Sequence, residues 1–348
     1  MKEIRYIDRL RNVLASINMP ILSLFLYVNQ QLEKIMRYCI KRSLSKNNYS
    51  QESEQRAYKK LSNYIGAERM SEPMVRNMKR LNIPLPASFA VALSIRSVHR
   101  SYDITLPEWK LAHKPTGKKF IDTLGIKSPK VYQEYVTMEQ IEFTENVVIK
   151  PERGTGHSFG VYIYKNDGEI YDLKEMKKYT SGVQFQEVVR SHLRSGKLKK
   201  NSWIVEEYVD NDNGYVPADL KFYTFYGVVG LILEVQQQPE KRYCFWNTNG
   251  EMVETGKYYT DKQFTGNGVS TSEIEKAAMI SREIPAPFIR IDFLRGKDDI
   301  YFCEFAPSPG NYHKFNKTYD RYLGQLYVEA EARLLNDLLN GKNFNVKM

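Results

Sequence analysis

Val147-Val148-Ile149-Lys150-Pro151-Glu152-Arg153-Gly154-Thr155-Gly156-His157-Ser158-Phe159-Gly160-Val161 opens as a β-branched apolar run that a lysine ends. Such a run suits a buried strand. A turn with glycines at 154, 156 and 160 follows, and then Val161-Tyr162-Ile163-Tyr164, a second strand with alternating character. Glycines let backbone N–H groups approach and point at phosphate oxygens, and the lysine adds a fixed positive charge. The stretch therefore reads either as a hairpin that folds over a polyphosphate or as an ordinary hairpin with a flexible turn. No Gly-Lys-Ser/Thr follows, so it is not a Walker A loop. The glycines lead into a strand and not a helix, so it is not a dinucleotide-binding turn.

The 348 residues predict two or three structural units, enough chain for a substantial core. A net charge of +10 favours an anionic partner, whether nucleotide, acidic sugar, nucleic acid or membrane face, without choosing among them. Cys39, Cys244 and Cys303 have neither metal-ligand spacing nor the density of a disulfide framework, which points to a reducing cytoplasm. The five histidines make no zinc pattern. The apolar run Met19 to Val28 is too short to span a bilayer, and no signal peptide is read there. It reads as a buried helix, with a membrane-surface helix as the alternative.

Residues 1 to about 45 look helical, and Ser45 to Gln51 reads as a linker. Helices are expected from about 52 to 82, with Pro73 starting a second one, and from Ser88 to Val98. A helix over about 116–124 would set Lys114 near its N-terminus, a natural anion site. Residues 181–200 form a basic helical stretch whose charged positions, Arg190, His192, Arg194, Lys197, Lys199 and Lys200, lack aromatics for base stacking among them, which favours a solvated face over nucleic-acid binding. Ser202 to Val209 reads as a strand with the acidic pair Glu206-Glu207, and Leu220 to Val235 as two strands joined near Tyr226-Gly227. Gly324 to Leu339 closes the chain as an amphipathic helix.

Phe288 to Leu294 and Ile300 to Phe305 are two strands around the turn Arg295-Gly296-Lys297-Asp298-Asp299. Asp292 and Glu304 can project from neighbouring strands to one side. Such a pair suits a Mg²⁺ that bridges nucleotide phosphates, since this ion takes one or two protein oxygens plus phosphate and water. An ion pair with Arg290 or a turn lysine is an equal reading of the same residues.

The order of these pieces resembles the ATP-grasp superfamily from about Pro107 to Leu339. It is most similar to the TupA-like branch, named for teichuronopeptide biosynthesis, through Pro217-Ala218-Asp219-Leu220-Lys221-Phe222, Ile289-Arg290-Ile291-Asp292-Phe293 and Glu304-Phe305-Ala306-Pro307-Ser308-Pro309-Gly310. The resemblance implies an α+β ATP-grasp fold, two subdomains clasping a nucleotide, behind a mostly helical N-terminal region of residues 1–105. Residues 106–348 would be the ATP-grasp domain, with a lid subdomain at about 140–210 and a metal-binding subdomain at about 211–340.

By that resemblance Lys114 and Lys150 contact ATP phosphates, and Gly154, Thr155, Gly156, His157 and Ser158 belong to the mobile cover. Glu206, Glu207, Tyr208 and Val209 form the hinge that reads adenine, and Asp219 holds ribose. Lys221 points toward phosphate or substrate, Arg290 stabilises an acyl-phosphate, and Asp292 and Glu304 bind Mg²⁺. Two positions depart from the pattern. Ala306 replaces a frequent asparagine metal ligand, with Ser308 or Asn311 as substitutes, and His113 replaces the usual acid before the first lysine.

The implied chemistry is ATP-dependent amide formation between a carboxylate and an amine, such as a uronic acid and an amino acid of a cell-surface polysaccharide. An ATP-grasp kinase and a degenerate nucleotide-binding scaffold are the rivals. The expected setting is cytoplasmic, with attachment to the inner membrane face left open, and nothing beyond charge suggests nucleic acid.

Overall fold

The computed structural model describes residues 50–64, 70–143, 146–152, 161–165, 168–172, 175, 177–211, 216–237, 240–258 and 262–346, with part of a helix between 23 and 38. The glycine-rich turn, with Gly154, Thr155, Gly156, His157 and Ser158, lies outside the described residues. So do residues 1–22 and nearly all of the expected linker. The chain divides into two compact units, 1–87 and 88–348.

In the first unit, helix α1 (Gln51–Tyr64) and helix α2 (Glu72–Arg80) enclose a small core of Tyr58, Met78, Leu81 and Ile83. Pro73 stands in the first turn of α2, where its missing N–H has no intrahelical partner to lose. The apolar run expected as a buried helix is corrected at its described positions, because Leu24, Tyr27 and Val28 are exposed. Among the described residues the core of this unit comes from α1, α2 and the turn after them, and Leu24, Tyr27 and Val28 take no part in it. Among the described residues no helix is long and apolar enough to cross a membrane.

The second unit holds two antiparallel sheets. The first has six strands: β1 (Val131–Val136), β2 (Val147–Pro151), β3 (Tyr162–Tyr164), β4 (Ile170–Asp172), β5 (Lys177–Tyr179) and β6 (Trp203–Glu207). Their spatial order is β1-β6-β2-β3-β4-β5. Helix α6 (Gly182–Arg194) packs Phe185 and Val189 onto this sheet, against Ile149, Tyr162 and Trp203. The second sheet contains β7 (Asp219–Thr224), β8 (Val229–Gln236), β9 (Arg242–Trp246), β10 (Ile289–Arg295) and β11 (Ile300–Ala306), ordered β11-β10-β7-β8-β9.

Strand alternation gives the second sheet two unlike faces. Leu220, Phe222, Ile291 and Phe293 face a core shared with helix α5 (Lys114–Thr123) and helix α7 (Thr271–Arg282). Tyr223, Leu231, Leu233 and Phe245 face the other way, into a core shared with helix α3 (Phe89–Ser101) and helix α8 (Lys317–Leu339). The short helix α4 (Pro107–Leu111) precedes α5. The expected turn at Tyr226-Gly227 is present, with Gly227 at φ +89°. The closing helix starts earlier than expected, at Lys317, because the Asn316 side chain accepts from Tyr319 N and caps it.

Candidate active site

On β2, Val147 and Ile149 point into the core, so Lys150 emerges with the opposite parity. On the adjacent β6, Glu206 is two residues from the register partner of Lys150, since Lys150 faces Ile204 and Val148 faces Glu206. The lysine ammonium donates to Glu206 Oε1 in a largely buried ion pair. Burial works against the charge on Lys150, but Glu206, aided by Glu304, outweighs it and raises the lysine above its ordinary value.

A pocket opens here, lined among others by Lys114, Lys118, Lys150, Glu206, Phe302 and Cys303. Lys114 is the first residue of α5, so the positive end of the helix faces the same space as both expected phosphate lysines.

The other expected hinge residues have structural partners. Glu207 accepts from Lys130 N at 3.0 Å and its own N–H donates to Lys130 O at 2.8 Å. Tyr208 N donates to Asn146 O at 3.3 Å, and Lys165 Nζ stands 5.5 Å from the Tyr208 ring centre. Val209 is buried and packs toward Gly296, while Lys297 N donates to Asp210 O at 3.0 Å. The segment after β6 is thus fastened to the first sheet on one side and to the β10–β11 turn on the other.

The second group sits on neighbouring strands of the second sheet. Lys221, Asp292 and Glu304 form one cross-strand row, and Tyr223, Arg290 and Ala306 form the next. Arg290 donates to both oxygens of Asp292, at 2.7 Å each, and Lys221 Nζ donates to Oδ2 at 2.8 Å. Lys221 also pairs with Asp219 at 3.4 Å, whose Oδ2 accepts from Gln237 at 2.5 Å. Burial opposes ionisation of Asp292, yet Arg290 and then Lys221 hold its carboxyl below the usual range. Lys221 is raised because Asp219 and Asp292 overcome its burial, and Arg290 is raised because Asp292 does the same.

Both readings of Asp292 therefore meet in one residue. The expected ion pair with Arg290 is present, and three of about four lone-pair positions on the carboxylate are engaged, which leaves room for one bond to a cation. Among the described residues no group of three or more His, Cys, Asp or Glu side chains gathers as a metal site. An Asp–Glu pair with one open position fits a hard ion that takes few protein oxygens and completes its shell with phosphate and water.

Two chemically significant side chains escaped the sequence reading. The β10–β11 register passes from Asp292↔Glu304 to Phe293↔Phe302, so Cys303 is the extra residue of a β-bulge. The bulge puts Cys303 into the pocket beside Lys150 while Glu304 still faces Asp292. Burial pushes the Cys303 thiol up to about 12, so it remains a protonated, inert wall. The other is Lys257, which is buried and donates to Tyr223 Oη at 3.0 Å. No spacing marks it, because it lies in a loop after β9.

The family model described as "TupA-like ATPgrasp" matches residues 92–328. A search of curated proteins found no match. Among solved structures, the D-alanine–D-alanine ligase of Bacillus anthracis, complexed with ATP, is 15% identical with a TM-score of 0.40, and the match covers 75% of this chain and 74% of that one. The L-amino acid ligase of Bacillus licheniformis is 13% identical with a TM-score of 0.35, covering 76% of this chain and 54% of that one. The ATP-grasp ligase PsnB, complexed with a precursor variant, Mg and ADP, is 13% identical with a TM-score of 0.38, covering 63% and 59%. With the family model spanning both sheets and the rows of residues described above, this chain belongs to the TupA-like ATP-grasp family.

Proposed function

We propose that the protein joins a carboxylate to an amine through an acyl-phosphate, and that the carboxylate belongs to an acidic sugar and the amine to an amino acid. The observation that carries this reading is the pairing of two cationic groups. Lys114 and Lys150 line one pocket beside Cys303 of β11, and Arg290 and Lys221 surround Asp292 on the next strands. A carboxylate becomes a good electrophile only when one of its oxygens is converted to a leaving group, and phosphoryl transfer places new negative charge that fixed cations stabilise.

In this reading Lys114 and Lys150 hold the ATP phosphates and the residues Glu206 to Val209 hold the base. Asp219 holds ribose. Arg290 steadies the acyl-phosphate, with Lys221 beside it. Asp292 and Glu304 would hold Mg²⁺, which when bound neutralises charge between neighbouring phosphates. No covalent nucleophile is needed, in keeping with the protonated state of Cys303.

The test is product analysis. The protein would be incubated with Mg-ATP, a panel of uronic acids and a panel of amino acids, and products would be weighed by mass spectrometry. An amide with matching ADP and phosphate, absent from Lys150→Ala, is expected. A stable phosphorylated acceptor without amide would make the protein a kinase and overturn the ligase reading.

A further inference from the structure

Lys257 is a buried lysine that, among the described residues, has no acid as its partner. It is 2% exposed. Among the described residues no carboxylate lies within ion-pair distance of its ammonium, whose hydrogen bond goes to Tyr223 Oη. The rings of Phe315, Tyr258 and Tyr223 surround it at 4.9, 5.4 and 5.6 Å from their centres.

The backbone just before it, from Glu254 to Gly256, is held against Asn316. Asn316 N donates to Thr255 O at 2.7 Å and Asn316 Nδ2 to Glu254 O at 3.3 Å. Gly256, at φ +75°, lies so close to Asn316 that a Cβ would meet its backbone nitrogen at 3.1 Å. From that backbone the lysine reaches Tyr223 Oη. That contact leads to the centre of the site, because Tyr223 is the cross-strand partner of Arg290 and its hydroxyl lies beside the guanidinium.

We propose that Lys257 is the proton acceptor for the incoming amine in the amide-forming step. The proposal rests on the ligase reading above. The amine arrives as an ammonium, which has no lone pair to attack with. Neutral Lys257 takes one proton, and the freed nitrogen lone pair forms the C–N bond at the acyl carbon. The bond from that carbon to the phosphate oxygen breaks, phosphate departs with the electron pair, and it accepts the second nitrogen proton. Lys257 then returns its proton to solvent.

Three carboxylates near the site are committed, and Glu304, opposite Asp292, belongs to the proposed Mg²⁺ pair. Asp292 is engaged by Arg290 and Lys221, Asp219 by Lys221 and Gln237, and Glu206 by Lys150. Among the described residues, the charged and titratable groups around Lys257 are Tyr223 and Lys221 from β7, Arg290 and Asp292 from β10, and Tyr258 from its own loop, stacked on Tyr243 of β9 at 3.8 Å. Burial first, and then Arg290, lowers Lys257 to about 7, with Asp292 opposing and Lys221 adding to the fall. A base with that value is matched to neutral pH.

The experiment has two arms, both on the full chain. In the first, protein labelled with ¹³C at lysine Cε is titrated by NMR, with the resonance assigned through Lys257→Arg. A midpoint near 7 is expected. A midpoint close to the ordinary lysine value of about 10.4 would overturn the proposal whatever the substrate. In the second, Mg-ATP and a panel of uronic acids are supplied either with hydroxylamine, which is already neutral and traps acyl-phosphate as hydroxamate, or with amino acids.

Lys257→Met should keep hydroxamate formation and lose amide formation by about 10²–10⁴-fold, the range of a lost general base. The acid limb of the pH–rate profile should vanish with it. Equal loss of both products, or full amide formation by Lys257→Arg, would show that the residue serves as a cation and not as a base. Wild type that yields no hydroxamate from any uronic acid would remove the ligase reading itself, and this inference with it.

Discussion

Lys150 on β2 and Glu206 on β6 form their ion pair on the diagonal of the strand register, inside the pocket that also receives Lys114. The pair is largely shielded from water, so removing one partner leaves a buried charge. Lys150→Ala should lower stability by about 2–4 kcal/mol, while Lys150→Met with Glu206→Gln should recover most of it. Wild type at about 100 times the Kd of Mg-ADP should gain roughly 2.7 kcal/mol, and both variants should gain far less. Thermal unfolding with and without nucleotide measures both effects. A full nucleotide shift in Lys150→Ala would dissociate this lysine from the phosphates.

Asp292 is opposed by Arg290 and Lys221, so its folded-state carboxyl titrates below the unfolded value of about 3.9. The stability this supplies is complete above the unfolded value and is lost as pH falls through the folded one. Asp292→Asn removes this contribution and leaves two buried cations, Arg290 and Lys221, short of a partner. The variant should be weaker than wild type at neutral pH by about 2–4 kcal/mol, and the gap should close in acid. Urea midpoints from about pH 7 down to about pH 2.5 would read this. A gap that persists unchanged at the acid end points to lost packing instead.

Much of this arrangement was legible in the sequence for a physical reason. Long elements with one dominant pattern, such as Val147 to Lys150, Leu220 to Val235 and the arms around Arg295 to Asp299, were placed correctly because burial of one face fixes their period. Strands β4 and β5 have three residues each and carry no period. Helix α7 escapes the apolar pattern although its start has a readable signal, the capping box of Ser270 and Glu273. Cys303 and Lys257 were hidden for another reason. A bulge shifts side-chain parity only once the strands have paired, and the position of Lys257 depends on contacts between its loop and Asn316. Such features are tertiary, and local pattern does not encode them.

Gly117 offers a test of how α5 is seated. A glycine inside a helix is normally worse than alanine by about 1 kcal/mol, so propensity alone forecasts that Gly117→Ala stabilises. The structure forecasts the opposite, because the added Cβ would lie 2.6 Å from Leu111 O and 3.2 Å from the Phe305 ring. Overpacking of this kind costs about 1–3 kcal/mol. The displaced helix also carries Lys114, so nucleotide affinity should fall together with Tm. A more stable variant with unchanged nucleotide binding would mean that α5 is not pressed against β11 as described.

Lys257 has a stability signature independent of any substrate. In the unfolded chain it titrates near the ordinary value of about 10.4, and in the fold at about 7. Between those values the unfolded state holds a proton that the folded state lacks, so this residue makes stability rise with pH by as much as about 1.4 kcal/mol per unit. Below the folded value both states are protonated and the destabilisation is complete. Lys257→Met removes the charge and keeps an apolar stem among Phe315, Tyr258 and Tyr223. The variant should exceed wild type at pH 7 by on the order of 2 kcal/mol, and wild type should gain on it as pH approaches about 9.5. Denaturant midpoints of the two proteins across that range decide the matter. Parallel curves would mean that Lys257 stays charged in the fold, and a charged lysine has no lone pair with which to take a proton from an amine.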